Sequence, residues 1–107
     1  MEQINIESIK MEVADNPAIM LYFFNDNCAP CLALRPKVES LVNDEFPKMK
    51  LVFINATAYP ELAAAHSIFG APTLLVFFDG KEVFRESKYV SVDQMKERID
   101  RYYRLIF

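Results

Sequence analysis

The sequence has no excess of positive charge, no long apolar run and only two cysteines, and these shortages narrow the possible functions. Its 107 residues include 12 lysines and arginines against 15 acidic residues, so the net charge is −3. Nucleic acid requires basic patches on its protein partners, and anionic membrane surfaces attract basic segments. The composition therefore disfavours both nucleic acid and a membrane surface as partners.

Segments that would insert into or cross a membrane are also missing. The longest apolar run is AIMLYFF at residues 18–24, which is much shorter than the roughly 20 apolar residues that span a bilayer. The first residues, MEQINIESIKMEV, lack the basic start and apolar block of a secretory signal. If Met1 is the native start, we expect a cytoplasmic protein. The cytoplasm keeps thiols reduced, so a permanent structural disulfide is not expected.

The sequence does contain enough apolar material for a core, since 52% of its residues are apolar. A length of 107 residues suits one compact domain, and we expect residues 1–107 to form it. Ile6, Ile9 and Val13 share one face of a predicted first helix. Pro17 should end this helix, because the residue before a proline avoids the helical region.

Strands are predicted where short apolar segments are bounded by turn residues. A run that is apolar at almost every position is typical of a strand buried on both faces of a sheet. Asp79 and Gly80 form a hairpin signal, so the segment after them should return antiparallel to the one before. The four predicted strands are AIMLYFF at 18–24, KLVFIN at 50–55, TLLVFF at 73–78 and EVFRESKY at 82–89.

Helical segments separate these strands. Asp26 or Asn27 can cap a second helix, which contains Pro36 at a position where a kink is expected. A third helix is predicted over residues 60–69, PELAAAHSIF. A last helix should bury one apolar stripe, formed by Val92, Met95, Ile99, Tyr102 and Ile106. The order α-β-α-β-α-β-β-α predicts an α/β fold with a mixed four-stranded sheet flanked by helices.

Both cysteines lie in the segment NDNCAPC, where a predicted buried strand turns into a helix. Unpaired N–H groups and the dipole at a helix start favour a thiolate, which makes Cys28 a candidate nucleophile. Cys31 follows one helical turn later, within reach of the first sulfur. This spacing suits thiol–disulfide exchange, in which one cysteine attacks and the other resolves the mixed disulfide.

Two other interpretations of the cysteine pair stay open at this point. A metal site would need two further ligands, and the remaining candidate, His66, is far along the chain. A dimer could instead pool two CAPC pairs around zinc or an iron–sulfur cluster. In the third interpretation, Cys28 and Cys31 are inert core residues. We favour redox chemistry over both, and we expect His66 to have a structural role.

The CAPC segment resembles the WCGPC active site of the thioredoxin family. Pro36, five residues after the second cysteine, matches a helix proline of that family. GAPT at residues 70–73 is similar to the family's G-I-P-T, in which the proline is cis and faces the cysteines. The resemblance covers about residues 18–107. It implies a thioredoxin-like three-layer sandwich and a thiol–disulfide oxidoreductase that reduces protein disulfides.

The resemblance also implies roles for the residues of the CAPC motif. Cys28 would be the nucleophile and Cys31 the resolving thiol, while Ala29 and Pro30 between them would set the turn and tune the redox potential. It implies no cofactor and no metal. The partners would be a protein disulfide substrate and an electron donor, either a reductase or a small thiol, and we expect a monomer.

The predicted docking surface lies in the GAPT segment. By the resemblance, Ala71, Pro72 and Thr73 would bind an extended substrate, with a cis bond before Pro72 and free backbone groups at Ala71. An ordinary proline at the start of a strand is the plainer alternative for Pro72.

The chain departs from the family pattern at several positions. Asn27 replaces the tryptophan before the first cysteine, and Tyr22 replaces a buried aspartate. The lysine that pairs near that aspartate in the family has no evident match around Phe53. We also expect no counterpart of the family's first strand, because only 17 residues precede the strand predicted at 18–24. We therefore expect a shortened, divergent member of the family. These departures favour a rival function, that of a non-catalytic thioredoxin-fold module that binds one protein partner.

Two charged residues near the motif have open roles. Lys88 replaces a glycine that lies beside the substrate groove in the family, so it is either a plain exposed strand residue or a groove residue that favours acidic partners. Asp26 is either a solvated helix cap or a carboxylate that acts on Cys28.

Overall fold

The computed structural model describes residues 4–107, and its centre is a single mixed sheet. The strands of this sheet are β1 (Ala18–Phe24), β2 (Lys50–Asn55), β3 (Thr73–Phe78) and β4 (Lys81–Ser87). The helices are α1 (Ile6–Asp15), α2 (Ala29–Glu45), α3 (Pro60–Ala65) and α4 (Val92–Ile106). No helix within residues 4–107 is long and apolar enough to cross a membrane.

The four strands lie in the order β2-β1-β3-β4. β1 pairs with β2 in parallel and with β3 antiparallel, and β3 pairs antiparallel with β4. The tight turn between β3 and β4 has positive φ angles of 51° at Asp79 and 79° at Gly80, which matches the predicted hairpin. The predicted mixed four-stranded sheet is confirmed.

The side chains of β1 alternate between two apolar clusters, one on each face of the sheet. One cluster also contains residues of α2 and α4, and the other contains residues of α1 and α3. The helices therefore cover both faces and make three layers. Six consecutive residues of β1 are at most 1% exposed, and they are Ala18, Ile19, Met20, Leu21, Tyr22 and Phe23.

Three predicted boundaries are wrong, and contacts from elsewhere in the chain account for two of them. α3 ends at Ala65 rather than at residue 69, because Ser67 has a φ of 56° and the Arg85 guanidinium from β4 binds the freed carbonyls of His66 and Ser67. The last strand covers Lys81–Ser87 rather than residues 82–89. The residue that caps α2 is Cys28, not Asp26 or Asn27.

The unequal burial of side chains on α4 leads to a prediction about stability. Ile99 is fully buried in the cluster shared by α2 and α4, whereas Leu105 on the same helix is 84% exposed. We expect Ile99→Ala to lower the free energy of unfolding by about 2–5 kcal/mol, because the deletion leaves a cavity. Leu105→Ala is the matched control and should change it by no more than about 0.5 kcal/mol. Urea denaturation would measure both, and equal losses would contradict this account of the core.

Candidate active site

The CAPC motif begins where β1 leaves the core. After β1, the Asp26 carboxylate accepts a hydrogen bond from the Asn55 side-chain amide at 2.9 Å, so it faces the neighbouring strand β2 rather than the start of α2. Asn27 has a left-handed φ of 57°. Cys28 then returns to an extended conformation and becomes the N-cap of α2. The prediction of Asp26 or Asn27 as the cap is therefore wrong.

The two cysteine side chains differ in exposure. Cys28 and Cys31 are joined by a disulfide bond, with Cα atoms 5.3 Å apart, a separation that disulfides commonly span. Cys28 is half-buried, whereas Cys31 is only 3% exposed. The N–H of Cys31 donates a hydrogen bond to the Cys28 sulfur at 3.3 Å. A reduced Cys28 would thus form its thiolate beside a backbone donor at a helix start.

The GAPT segment lies next to the CAPC motif because β3 pairs with β1. Phe23, at the end of β1, is opposite Thr73, at the start of β3. The peptide bond between Ala71 and Pro72 is cis, as predicted. The Thr73 hydroxyl donates a hydrogen bond of 2.7 Å to the carbonyl of Gly70, which holds this turn together. Within residues 4–107, the backbone of Ala71 forms no hydrogen bond, so its N–H and C=O remain available.

A shallow groove of about 420 Å³ runs between α2 and this cis-proline turn. Pro30 and Lys37 line it from α2, and Pro72, Lys88 and Tyr89 line it from the other side. The N–H of Lys88 donates to the carbonyl of Pro72 at 3.2 Å, which fixes the Lys88 backbone beside the turn. Of the two interpretations of Lys88, the structure supports the groove residue.

Tyr22 lies beneath the second cysteine and is 1% exposed. Its hydroxyl donates a hydrogen bond of 2.7 Å to the carbonyl oxygen of Cys31. Its ring contacts Phe53 with centroids 5.0 Å apart, and the Arg35 guanidinium lies 3.8 Å from the centroid of the Phe53 ring. Burial raises the pKa of Tyr22 above its ordinary value of 10, and this effect outweighs the opposing charge of Arg35. Tyr22 is therefore neutral at pH 7.

His66 is remote from this chemistry, as predicted. Its ring packs against Phe23 and Phe77 on the face of the sheet that α1 and α3 cover, with centroid distances of 5.7 and 6.5 Å. Among the residues that the structure describes, no group of three or more His, Cys, Asp or Glu side chains is placed to hold a metal ion.

The arrangement of a CxxC pair at a helix start beside a cis-proline turn agrees with the family comparison. The sequence model of the thioredoxin family matches residues 1–101 of this chain. The chain belongs to the thioredoxin family. Together with the Cys28–Cys31 pair, this membership makes it a thiol–disulfide oxidoreductase. The match begins before residue 18, so it extends further toward the N-terminus than the resemblance seen in the sequence alone.

Individual relatives agree with this assignment. The thioredoxin-like protein YdfQ of Bacillus subtilis is 35% identical over 101 residues, which are 94% of this chain and 89% of the relative. A thioredoxin of Chlamydia trachomatis is 31% identical over 78% of this chain and 81% of its own length. A thioredoxin variant from Halobacterium salinarum superimposes with a TM-score of 0.83 at 28% identity, covering 92% of this chain and 86% of that structure.

This thioredoxin-family protein has an aromatic ring at position 22, where the resemblance implies an acid, and a second ring nearby at Phe53, around which the family's lysine has no match. Tyr22 and Phe53 pack against each other, and Arg35 supplies the only positive charge that contacts this aromatic pair within residues 4–107. The sequence showed that an acid was absent at position 22. It gave no signal that the Tyr22 hydroxyl would bond to the backbone of Cys31, because that contact joins β1 to α2.

The unequal burial of the two sulfurs leads to a prediction for the reduced protein. We expect iodoacetamide near neutral pH to modify Cys28 at least about tenfold faster than Cys31, because the reactive thiolate must be both stabilised and accessible. Mass spectrometry of partially alkylated protein would measure the ratio. Protein unfolded in guanidinium is the control and should show similar rates at both sites. Faster modification of Cys31 in the folded protein would show that the roles are reversed.

The buried hydroxyl of Tyr22 leads to a second prediction. Tyr22→Phe removes one hydrogen bond and should lower the free energy of unfolding at pH 7 by about 0.5–1.5 kcal/mol. The raised pKa means that folding favours the neutral phenol. The advantage of Tyr22 is therefore complete below about pH 10 and is lost as the pH rises toward the folded-state pKa.

Urea denaturation of the oxidised wild type and of Tyr22→Phe, from pH 7 to about pH 11, would test this. The difference in stability between the two proteins isolates Tyr22 from the other titrating groups. A difference that is constant across this range would contradict the account of a buried, neutral hydroxyl.

Proposed function

We propose that this protein reduces disulfide bonds in other proteins through its CAPC dithiol, with Cys28 as the nucleophile and Cys31 as the resolving thiol. The observation that carries this proposal is the unequal pair: a half-buried sulfur at a helix N-terminus, bonded to one that is 3% exposed. A substrate can reach the first sulfur, whereas the second is sheltered from external thiols but lies within reach of the first.

The proposed reaction has two displacement steps. The thiolate of Cys28 attacks one sulfur of the substrate disulfide, which forms a mixed disulfide and releases the other substrate sulfur as a thiolate. The thiolate of Cys31 then attacks the Cys28 sulfur, which forms the Cys28–Cys31 disulfide and releases the second substrate thiol. Two electrons pass from the dithiol to the substrate, and the two protons of the dithiol end on the substrate sulfurs, either directly or through water.

Deprotonation of Cys31 takes place without a buried acid–base residue. Within residues 4–107 no carboxylate is buried, and Tyr22 holds its proton at pH 7 because burial raises its pKa. Water or the departing substrate thiolate therefore accepts the proton of Cys31 in this proposal. The Tyr22 hydroxyl instead acts on the backbone of Cys31, where its hydrogen bond helps to hold the first turn of α2 in place.

The proposed substrate-binding surface is the cis-proline turn. The N–H and C=O of Ala71 form no hydrogen bond within residues 4–107. In this proposal they pair with an extended substrate segment, as strands do at an open sheet edge. Pro72 and Thr73 shape this turn, and both are buried. Ala29 and Pro30, in the first turn of α2, are proposed to tune the redox potential of the pair.

The proposed cycle ends when an electron donor reduces the Cys28–Cys31 disulfide. We propose a reductase or a small thiol as that donor, and the cytoplasm as the compartment, because its thiols are kept reduced. We also propose that residues 1–107 act as one domain and as a monomer.

Trapping of the intermediate tests the proposal. Cys31→Ser should attack a disulfide-bonded protein substrate but should not resolve, so a mixed disulfide through Cys28 should accumulate. Cys28→Ser should accumulate none, and both variants should lose turnover to the level of the donor alone. Non-reducing electrophoresis and turnover with a dithiol donor are the measurements. A wild-type protein that binds the substrate without accelerating its reduction would instead support the rival function of a binding module.

A further inference from the structure

Among residues 4–107, two lysines and no acidic residue line the groove beside the CAPC motif. Lys37 lies on α2 and Lys88 follows β4, and both line the groove from opposite sides. The chain as a whole is acidic, with a net charge of −3. The positive charge at this groove is therefore a local feature that opposes the charge of the whole molecule.

No carboxylate of the described part of the chain, residues 4–107, neutralises either lysine. Lys37 and Lys88 are exposed, and neither takes part in an ion pair formed within residues 4–107. The acidic residue nearest to Lys88 in sequence, Glu86, is paired with Arg98. On α2, Glu39 faces Arg35 at 3.8 Å. Both lysine ammonium groups are thus free to bind an external anion.

The backbone at Lys88 provides an independent observation. Its φ of 64° lies in the left-handed region, where a residue with a Cβ is disfavoured and glycine is not. A lysine persists here although glycine would fit the backbone better. Such a disfavoured conformation beside a reactive site is a reason to look for a function of the side chain.

We propose that Lys37 and Lys88 make this protein selective for protein disulfides that have acidic residues close to the reactive cysteine. The proposal rests on the proposed function, since it concerns the substrate of the same site. The occupant of the groove is an extended substrate segment, and its carboxylates bind the two ammonium groups while its backbone pairs with Ala71. The exposed ring of Tyr89 borders the same groove and offers an apolar contact.

The geometry limits where those acidic residues can be. Lys88 is bonded through its backbone to Pro72, so its side chain starts beside the docking turn. Lys37 is nine residues beyond Cys28 along the chain and lies on the same helix, which corresponds to a rise of roughly 13 Å. An extended segment covers that distance in about four residues. We therefore expect the preference to extend about four residues from the reactive cysteine of the substrate.

The test uses disulfide peptides that are identical except for the residues flanking the cysteine, which are acidic, neutral or basic. Each exposed lysine is expected to contribute roughly two- to fivefold to kcat/KM for the acidic peptide over the neutral one. Raising the salt concentration from about 0.01 M to about 1 M should shrink this preference, because the screening length falls from about 30 Å to about 3 Å.

Substitutions of the lysines distinguish an effect of their charge on substrate preference from an effect on the stability of the fold. Lys37→Glu with Lys88→Glu should reverse the order, so that the basic peptide becomes the better substrate. Lys88→Gly should lower the preference for acidic peptides by roughly two- to fivefold while Tm stays equal or rises, because glycine accepts the left-handed backbone. Lys81→Glu is the matched control, since Lys81 is an exposed lysine at the far end of β4, and it should leave the preference as in the wild type.

A binding measurement distinguishes failure of this proposal from failure of the proposed function. The same peptides with S-methylated cysteines cannot react, and NMR titration measures their affinity. If all disulfide peptides are reduced at equal rates and the lysine variants change nothing, the charge selectivity is wrong and the reductase function stands. If no peptide is reduced, the reductase function is wrong, and equal affinities for acidic and basic methylated peptides would then overturn the selectivity as well.

Discussion

Burial of β1 on both of its faces is the constraint on which the rest of this structure depends. Its six residues from Ala18 to Phe23 are at most 1% exposed and alternate between two apolar clusters. A register slip of one residue would exchange the two sets of side chains, so the pairing of β1 with β2 and β3 is strongly specified. This register brings Phe23 opposite Thr73, and therefore the CAPC motif next to the cis-proline turn. The site is assembled by the core rather than by local contacts between the two loops.

The surroundings of the second cysteine show how a redox site can be supported without buried charge. The aromatic ring of Tyr22 is buried, and its hydroxyl donates a hydrogen bond to the carbonyl of Cys31. Phe53 completes the aromatic pair, and the Arg35 guanidinium covers the outer ring, where its charge can remain hydrated. An aromatic pair avoids the desolvation penalty of a buried acid and lysine. Among residues 4–107, however, no buried carboxylate is present and Tyr22 keeps its proton at neutral pH, so neither kind of group accepts the proton of Cys31.

Much of this architecture could be predicted from the sequence, and the reason differs between elements. The predicted bounds of strands 18–24, 50–55 and 73–78 agree with the structure. The sequence of a buried strand is a short apolar run between turn residues, which makes its ends recognisable. The helix-start position of the cysteines also agrees with prediction. The strands and this helix start depend on residues that are close together in the chain. The cis bond before Pro72 agrees with what the resemblance of GAPT to the thioredoxin family implied.

The sequence by itself therefore determined the order of elements, the mixed sheet and the reactive pair Cys28–Cys31. The tertiary structure decided which residue caps α2. The Asp26 carboxylate accepts a hydrogen bond from Asn55 of β2, and Cys28 is the N-cap. The tertiary structure also decided that α3 ends early, where Arg85 of β4 binds the carbonyls of His66 and Ser67 that follow the helix, and that Lys37 and Lys88 line the same groove. Each of these outcomes depends on a partner that is distant in the sequence. The hydrogen-bond partners are 18 residues apart for Arg85 and Ser67, 19 for Arg85 and His66, and 29 for Asn55 and Asp26. A local sequence pattern does not specify partners at such distances.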